Sequence, residues 1–278
     1  MKDLSNENII HIKGNGIEYI QFRKLLEYKD LCNHAFTLKD LNFGIHGDIK
    51  ANIGEVINNN KIICNEIGMD YRKIVKPFQS HTDNIQVVNE KFNKDAPDMY
   101  LDKYRNTDGI ITNKNDFILA TVNADCMLLL FLDPVKKVVG NSHSGWRGAF
   151  SKISQKTVQK MIKEYGSNPE DIICCISPSI GVCHFEVGPE VKDLCEELFT
   201  YTHKLEDIIK TGRSISGTTK YCIDIIELTK ILLQETGLKA ENIIDSKICS
   251  VCESDQVHSR RASKVNDFKH STAIIGLI

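Results

Sequence analysis

The chain has 278 residues, with 35 Lys+Arg against 37 Asp+Glu and a formal charge of −2. Hydrophobic residues at 41% and charged residues at 26% are the mix of a soluble globular protein and exclude a disordered chain. A slightly acidic balance lacks the basic excess of a protein that holds phosphate backbones, so no nucleic-acid partner is expected.

The predicted elements run as follows. Residues 9–22 alternate apolar and polar side chains around Gly14-Asn15-Gly16, a hairpin signal. Residues 53–67 carry Ile53, Val56, Ile57, Ile63 and Ile67 ahead of Gly68, which predicts a helix with a glycine stop. Residues 74–88 are strand-like on both sides of a polar break, Gln79-Ser80-His81-Thr82-Asp83. Strands are predicted at 110–112, 117–122, 127–132 and 138–141. A helix follows over 151–165, with Ile153, Val158, Met161, Ile162 and Tyr165 at helical spacing and Gly166 as its stop. A short buried strand at 172–176, helices at 189–200 and 224–236, and a closing strand at 272–278 complete the chain. Strands and helices interleave without a strict βαβ rhythm, so the expected class is mixed α/β or α+β. No segment reads as a linker, and residues 1–278 are expected to form one domain.

The longest mid-chain apolar run, residues 127–132, is six residues, whereas a spanning helix needs about 20. The first ten residues show neither an apolar h-region nor a cleavage site. A cytoplasmic protein without a membrane partner is expected. Its ten cysteines are then read as core residues, metal ligands or nucleophiles, not as disulfides.

Three segments could carry chemistry: Gln79-Ser80-His81, Asn123-Ala124-Asp125-Cys126, and the run from Asn141 to Gly148 that contains His143. Each puts a borderline ligand at a predicted strand end, where rigid scaffolds present their chemistry. His81, Cys126 and His143 make a zinc-type set, with three protein ligands and a fourth position left for water. The spacing alone does not choose between an ion and three separately satisfied residues. Gly145, Arg147 and Gly148 precede a predicted helix, where backbone N–H groups and a guanidinium can hold an anion such as phosphate. A turn that needs glycine only for its geometry is the alternative. Cys249-Ser250-Val251-Cys252 is a CxxC, but no second CxxC or HxxxH follows at zinc-finger spacing, and His258 lies six residues beyond. Cys174-Cys175 reads as core. Arg260, Arg261 and Lys264 could meet an anionic substrate or form a solvated surface.

These motifs resemble the YfiH-type, laccase-domain family, long labelled polyphenol oxidase and now regarded as purine nucleoside phosphorylases. The pattern Q-x-H stands as Gln79-Ser80-His81, A-D-C as Ala124-Asp125-Cys126, and H-A-G-W-R-G as His143-Ser144-Gly145-Trp146-Arg147-Gly148. The P-x-I-G-x-C block stands as Pro178-Ser179-Ile180-Gly181-Val182-Cys183 and runs on through His184-Phe185-Glu186-Val187-Gly188. Weaker echoes reach from Asn42-Phe43-Gly44 to Ile275-Gly276-Leu277.

The resemblance implies one domain of mixed β-sheets flanked by helices, with zinc on His81, Cys126 and His143. It implies phosphorolysis of adenosine, inosine and methylthioadenosine to free base and a ribose 1-phosphate, with adenosine deamination alongside. Purine nucleosides and phosphate are then the small-molecule partners, and the protein is a monomer or homodimer. Asp125, Cys126 and Arg147 are the expected catalytic residues, and Asn42, Arg147 and Gly148 the expected substrate and phosphate contacts. The chain departs from the family at Thr82 (usually Gly), Met127-Leu128 (usually x-Pro), Ser144 (usually Ala) and Ser177 (usually Gly). Its N-terminal S-T-R-x-G-G block is cut down to residues 36–42, and the family's substrate-side Arg has no counterpart there. Lys39 could replace its charge but not its bidentate fork.

Two other chemistries are open. Cys126 and His143 could serve a metal-free hydrolase as nucleophile and base. The older label implies copper, yet no two of the nine histidines are two residues apart, as multicopper sites typically require. A binding module whose shortened N-terminal block has lost catalysis is a further alternative.

Overall fold

The computed structural model describes residues 2–45, 49–199, 205–215, 218–263 and 268–278. His46, Thr200, His203 and Lys264 lie outside them.

Two large sheets form the frame. The first runs in the order Ile9–Lys13, Glu18–Phe22, Cys32–Thr37, Ser271–Leu277, Ile118–Asn123, Ile74–Lys76 and Asp98–Met99. The second runs Ile243–Asp245, Ile173–Ile176, Met127–Asp133, Val138–Ser144, Gly109–Thr112 and Ile85–Val87. A small third sheet joins Glu186–Val187, Thr218–Ile223 and Ile209–Ile215. Antiparallel and parallel pairs mix in both large sheets, which is the mixed α/β class expected.

Alternation along the strands sorts side chains into layers. Leu128, Leu130 and Leu132 share one cluster with Phe22, Phe36, Leu119, Ala273 and Ile275 of the first sheet. The intervening Met127, Leu129 and Phe131 pack on the other side with Val158, Met161, Leu228 and Leu232 of the helices Ile153–Tyr165 and Ile225–Glu235. The outer face of the first sheet, with Ala35, Ile118, Ala120 and Ile274, meets Val56 and Ile63 of the helix Ile49–Glu66. The order is therefore helix, sheet, sheet, helices. Residues 127–132 read as an unbroken apolar run because both faces of that strand are buried.

The first predicted hairpin forms around residues 14–16, with Ile9 opposite Phe22. The helix expected over 151–165 is Ile153–Tyr165, and a short helix that the spacing does not predict, Trp146–Phe150, precedes it. Lys152 between them has φ of 61°, and this left-handed residue turns the chain before the longer helix starts. Gly166 ends that helix at φ of 66°, as a glycine C-cap does. The strand Cys32–Thr37 carries no clear strand signal in the sequence, because Asn33 and His34 break its apolar alternation. His34 is buried and accepts the Phe22 N–H at 2.7 Å, so its polar atom completes a sheet contact. Among the described residues no helix is long and apolar enough to cross a membrane.

Candidate active site and metal centre

The chain crosses between the two large sheets at residues 77–84 and again at 124–126, and both crossings deliver a site residue. His81 lies between Ile74–Lys76 of the first sheet and Ile85–Val87 of the second. Cys126 lies between Ile118–Asn123 of the first and Met127–Asp133 of the second. His143 is near the end of the strand Val138–Ser144. One ligand atom from each comes within 4.8 Å of the others, with Cys126 Sγ 3.9 Å from His81 Nε2. The two imidazole rings stand edge to face at 4.9 Å. Two imidazoles and one thiolate converging from two crossings and a strand are a donor set suited to zinc.

Local contacts fix each ligand. Gln79 pairs with the backbone of Val122 in both directions at 2.8 Å, so the crossing before His81 is laced to the strand before Cys126. His81 itself has φ of 59°, and its N–H donates to Asp108 Oδ1 at 3.1 Å. At the second crossing Asp125 has φ of 88°, while Asn123 Nδ2 donates to the carbonyls of Cys126 and Pro178. Gly145 closes the third side. A Cβ there would lie 2.9 Å from His81 Cδ2 and 3.0 Å from Cys126 Sγ. The glycine of this motif is therefore required by the site's own packing and not only by a turn.

Asp108 organises the centre, and sequence reasoning missed it. Its fully buried carboxylate accepts His143 Nδ1–H at 2.8 Å, which leaves Nε2 of that ring to face Cys126. It also accepts the N–H groups of Ser80 and Thr82 and the Thr82 hydroxyl, at 2.8 to 3.0 Å. Thr82, where the family has Gly, thus adds a hydroxyl donor to this carboxylate. Burial opposes the Asp108 charge, but His143 and the amides of Ser80 and Thr82 outweigh it and hold the carboxyl below its ordinary range. A carboxylate behind a ligating histidine is the usual way a metal-binding imidazole is oriented. Asp108 lies just ahead of a strand, with no motif around it to mark it in the sequence.

Burial also opposes ionisation of Cys126, yet His143 and His81 overcome it and bring the thiol down to about 6. His143 is buried as well, and the Cys126 sulfur and Asp108 raise it to about 9. The two imidazoles thus favour the thiolate, the form in which cysteine binds a metal or attacks a carbon.

The three ligands border a cavity of about 760 Å³, within the range of small-molecule sites. Its walls carry Phe78, Tyr100, Trp146, Phe185 and Phe268 together with Arg147, Arg260 and Arg261. Arg147 stacks on the Trp146 ring at 4.3 Å, and Arg260 lies 5.2 Å from the Phe268 ring. Arg261 Nη1 donates to the His184 carbonyl at 2.9 Å.

The other expected residues are placed differently. Asp125 borders the cavity, but its carboxylate accepts from Ser250 Oγ, Ser259 Oγ and Arg261 N, each at 2.6 Å. Asn42 does not line the cavity: its side chain is bonded to the backbone of Gly44 and His270. Gly148 is buried inside the short helix Trp146–Phe150 and does not line the cavity either. Lys39 reaches the Ser254 carbonyl instead of the cavity, so the guanidiniums of the cavity come from residues 147, 260 and 261.

A family model described as multi-copper polyphenol oxidoreductase laccase matches residues 32–276. Purine nucleoside phosphorylase YlmD of Bacillus subtilis is 31% identical over 225 residues, covering 80% of this chain and 77% of that protein. Adenosine deaminase RL5, from an unknown prokaryotic organism, is 30% identical over 210 residues, covering 75% of this chain and 77% of that protein. The crystal structure of YfiH from Bacillus licheniformis superposes with a TM-score of 0.80 at 26% identity, covering 96% of this chain and 99% of that one. The motifs, the fold and these matches agree, and the chain belongs to the family described as multi-copper polyphenol oxidoreductase laccase, the laccase-like family of YlmD and YfiH.

Proposed function

We propose that the protein is a zinc-dependent purine nucleoside phosphorylase. It converts adenosine, inosine and methylthioadenosine with phosphate to the free base and the ribose or methylthioribose 1-phosphate, and deaminates adenosine as a side activity. The whole chain is read as one catalytic domain. The observation that carries the reading is the convergence of His81, Cys126 and His143 beside a cavity lined by aromatic rings and guanidiniums. The naming of relatives as a phosphorylase and a deaminase supports it.

In phosphorolysis a phosphate oxygen bonds to C1′ of the ribose while the bond from C1′ to the base breaks and the base takes up a proton. The electron pair leaves with the base, so the site must hold phosphate on one side and the purine on the other. Arg147 is our phosphate-holding residue, a fork kept in place by its stack on Trp146. The faces of Phe78, Tyr100 and Phe185 offer stacking for the base. Zinc on His81, Cys126 and His143 would supply a Lewis acid beside the reacting groups. His143 is held for this by Asp108, which fixes its tautomer. We assign Asp125 a positioning role, because three donors already engage its carboxylate and tie the segment bearing Arg260 and Arg261 to the turn bearing Cys126.

A second reading has its own observation. Cys126, His143 and Asp108 form a thiolate, imidazole and carboxylate series of the kind cysteine hydrolases use. Chelation separates the two. Incubating the purified protein with adenosine should give inosine alone without phosphate, and adenine only with phosphate, where the inosine formed passes on to hypoxanthine. Both products should fall in step with metal content, and metal analysis of the active protein should find zinc in preference to copper. Full turnover after demetallation, with rapid alkylation of Cys126, would overturn the zinc reading in favour of the hydrolase.

A further inference from the structure

A second group of metal-type ligands lies outside the cavity. The CxxC at Cys249 and Cys252 finds its partners at Cys183 and His184, 65 or more residues upstream. Their ligand atoms all fall within 4.8 Å of one another. Cys183 Sγ is 3.7 Å from Cys252 Sγ. His184 Nδ1 is 3.2 Å from Cys183 Sγ and 3.5 Å from both Cys249 Sγ and Cys252 Sγ. All four residues carry their thiols or ring free of disulfides.

These distances have a meaning. A tetrahedral zinc with Zn–S of about 2.3 Å and Zn–N of about 2.0–2.1 Å sets two sulfurs about 3.8 Å apart and a sulfur about 3.5 Å from a nitrogen. The four donors thus already stand near the corners of such a tetrahedron. A disulfide would instead bring two sulfurs to about 2.05 Å and leave the imidazole without a role. Cys249 Sγ accepts the Gly181 N–H at 3.3 Å, a support typical of a ligating thiolate. Four protein ligands close the coordination shell, as structural sites do, whereas His81, Cys126 and His143 leave a position open.

We propose that Cys183, His184, Cys249 and Cys252 bind a second, structural zinc ion. It fastens residues 177–188 to residues 246–262. The first segment carries Ile180 and Phe185 of the cavity wall, and the second carries Arg260 and Arg261. The same segments are already joined by the bridge between Ser179 and Cys249 and by the Arg261 bond to the His184 carbonyl. The ion therefore holds one wall of the cavity without touching the reacting groups.

Metal analysis of the full-length protein purified under reducing conditions tests it. Wild type should carry about two zinc equivalents per chain. The double variant Cys183→Ser/Cys252→Ser and the double variant His81→Ala/His143→Ala should each carry about one. Should the cysteine variant fail to fold, Cys126→Ser protein titrated with cobalt(II) gives an independent reading. Its catalytic centre has no thiolate, so strong thiolate-to-cobalt charge-transfer bands must come from the three cysteines of the second site. A single zinc in wild type that His81→Ala/His143→Ala removes, or an absence of those cobalt bands, overturns the proposal. So does recovery of Cys183 and Cys252 as a disulfide in the freshly reduced and repurified protein.

Discussion

Asp108 has no counterpart among the residues that the motifs picked out, yet every contact it makes bears on the centre. It fixes the tautomer of His143 and gathers the loop that carries His81. Asp108→Asn keeps the shape, but its amide cannot accept at both oxygens, and one donor would oppose the Ser80 and Thr82 amides. Loss of such a supporting carboxylate typically costs 10–100-fold in metal affinity. Competition with a chromogenic chelator should therefore report metal release at roughly 10–100-fold lower chelator concentration, with the fold intact by circular dichroism. Gly145 sets a steric limit in the same place. Gly145→Ala places a methyl group against His81 and Cys126 at 3.0 Å or less, so one of the two must retreat. Metal retention should drop roughly tenfold or more, while melting of the demetallated protein shifts little, because the strain is confined to the site. Equal metal retention in wild type and Gly145→Ala would show that the crowding is relieved elsewhere.

At the scale of elements, most strands and helices were legible because their faces are buried in a regular pattern. The helix Ile153–Tyr165 buries Ile153, Val158 and Met161 at helical spacing, and the strand Met127–Asp133 is apolar on both faces. What could not be read were elements whose shape depends on distant partners. Cys32–Thr37 pairs with Ser271–Leu277, more than two hundred residues away, and its Asn33 and His34 gain their partners only in the folded sheet. The turn at Lys152 is equally silent, since nothing about a lysine announces a left-handed residue. The candidate centre is legible in its three ligands, which stand beside strand signals, but not in Asp108 or the pairing of Cys183-His184 with the CxxC. Those depend on which loops meet. Gly166 is the C-cap of the helix Ile153–Tyr165. Its φ of 66° has open space around it, so Gly166→Ala carries backbone strain without a clash. The cost should be about 1–2 kcal/mol by urea denaturation, with metal content unchanged.

Across the whole molecule, the centre sits where the chain passes from one sheet of the sandwich to the other. His81 and Cys126 lie on the two crossings, and His143 lies on a strand of the second sheet. An ion held by all three ties together segments that are distant in sequence and does so only in the folded state, because the unfolded chain offers no such arrangement. Binding to the native state alone stabilises it by RT ln(1 + [L]/Kd), about 2.7 kcal/mol when free metal stands at a hundred times Kd. For a chain of 278 residues that corresponds to a melting shift of roughly 4–5 °C. Chelation should therefore lower the melting temperature of wild type by at least that amount. Cys126→Ala removes one ligand of the cavity centre and leaves Cys183, His184, Cys249 and Cys252 untouched. Its own shift on chelation should then be smaller than that of wild type by the share due to the cavity centre. Identical shifts in wild type and Cys126→Ala would mean that the crossings are held by packing and hydrogen bonds alone. In that event Asp108 and Gln79, not an ion, would be what joins the two sheets at this end of the molecule.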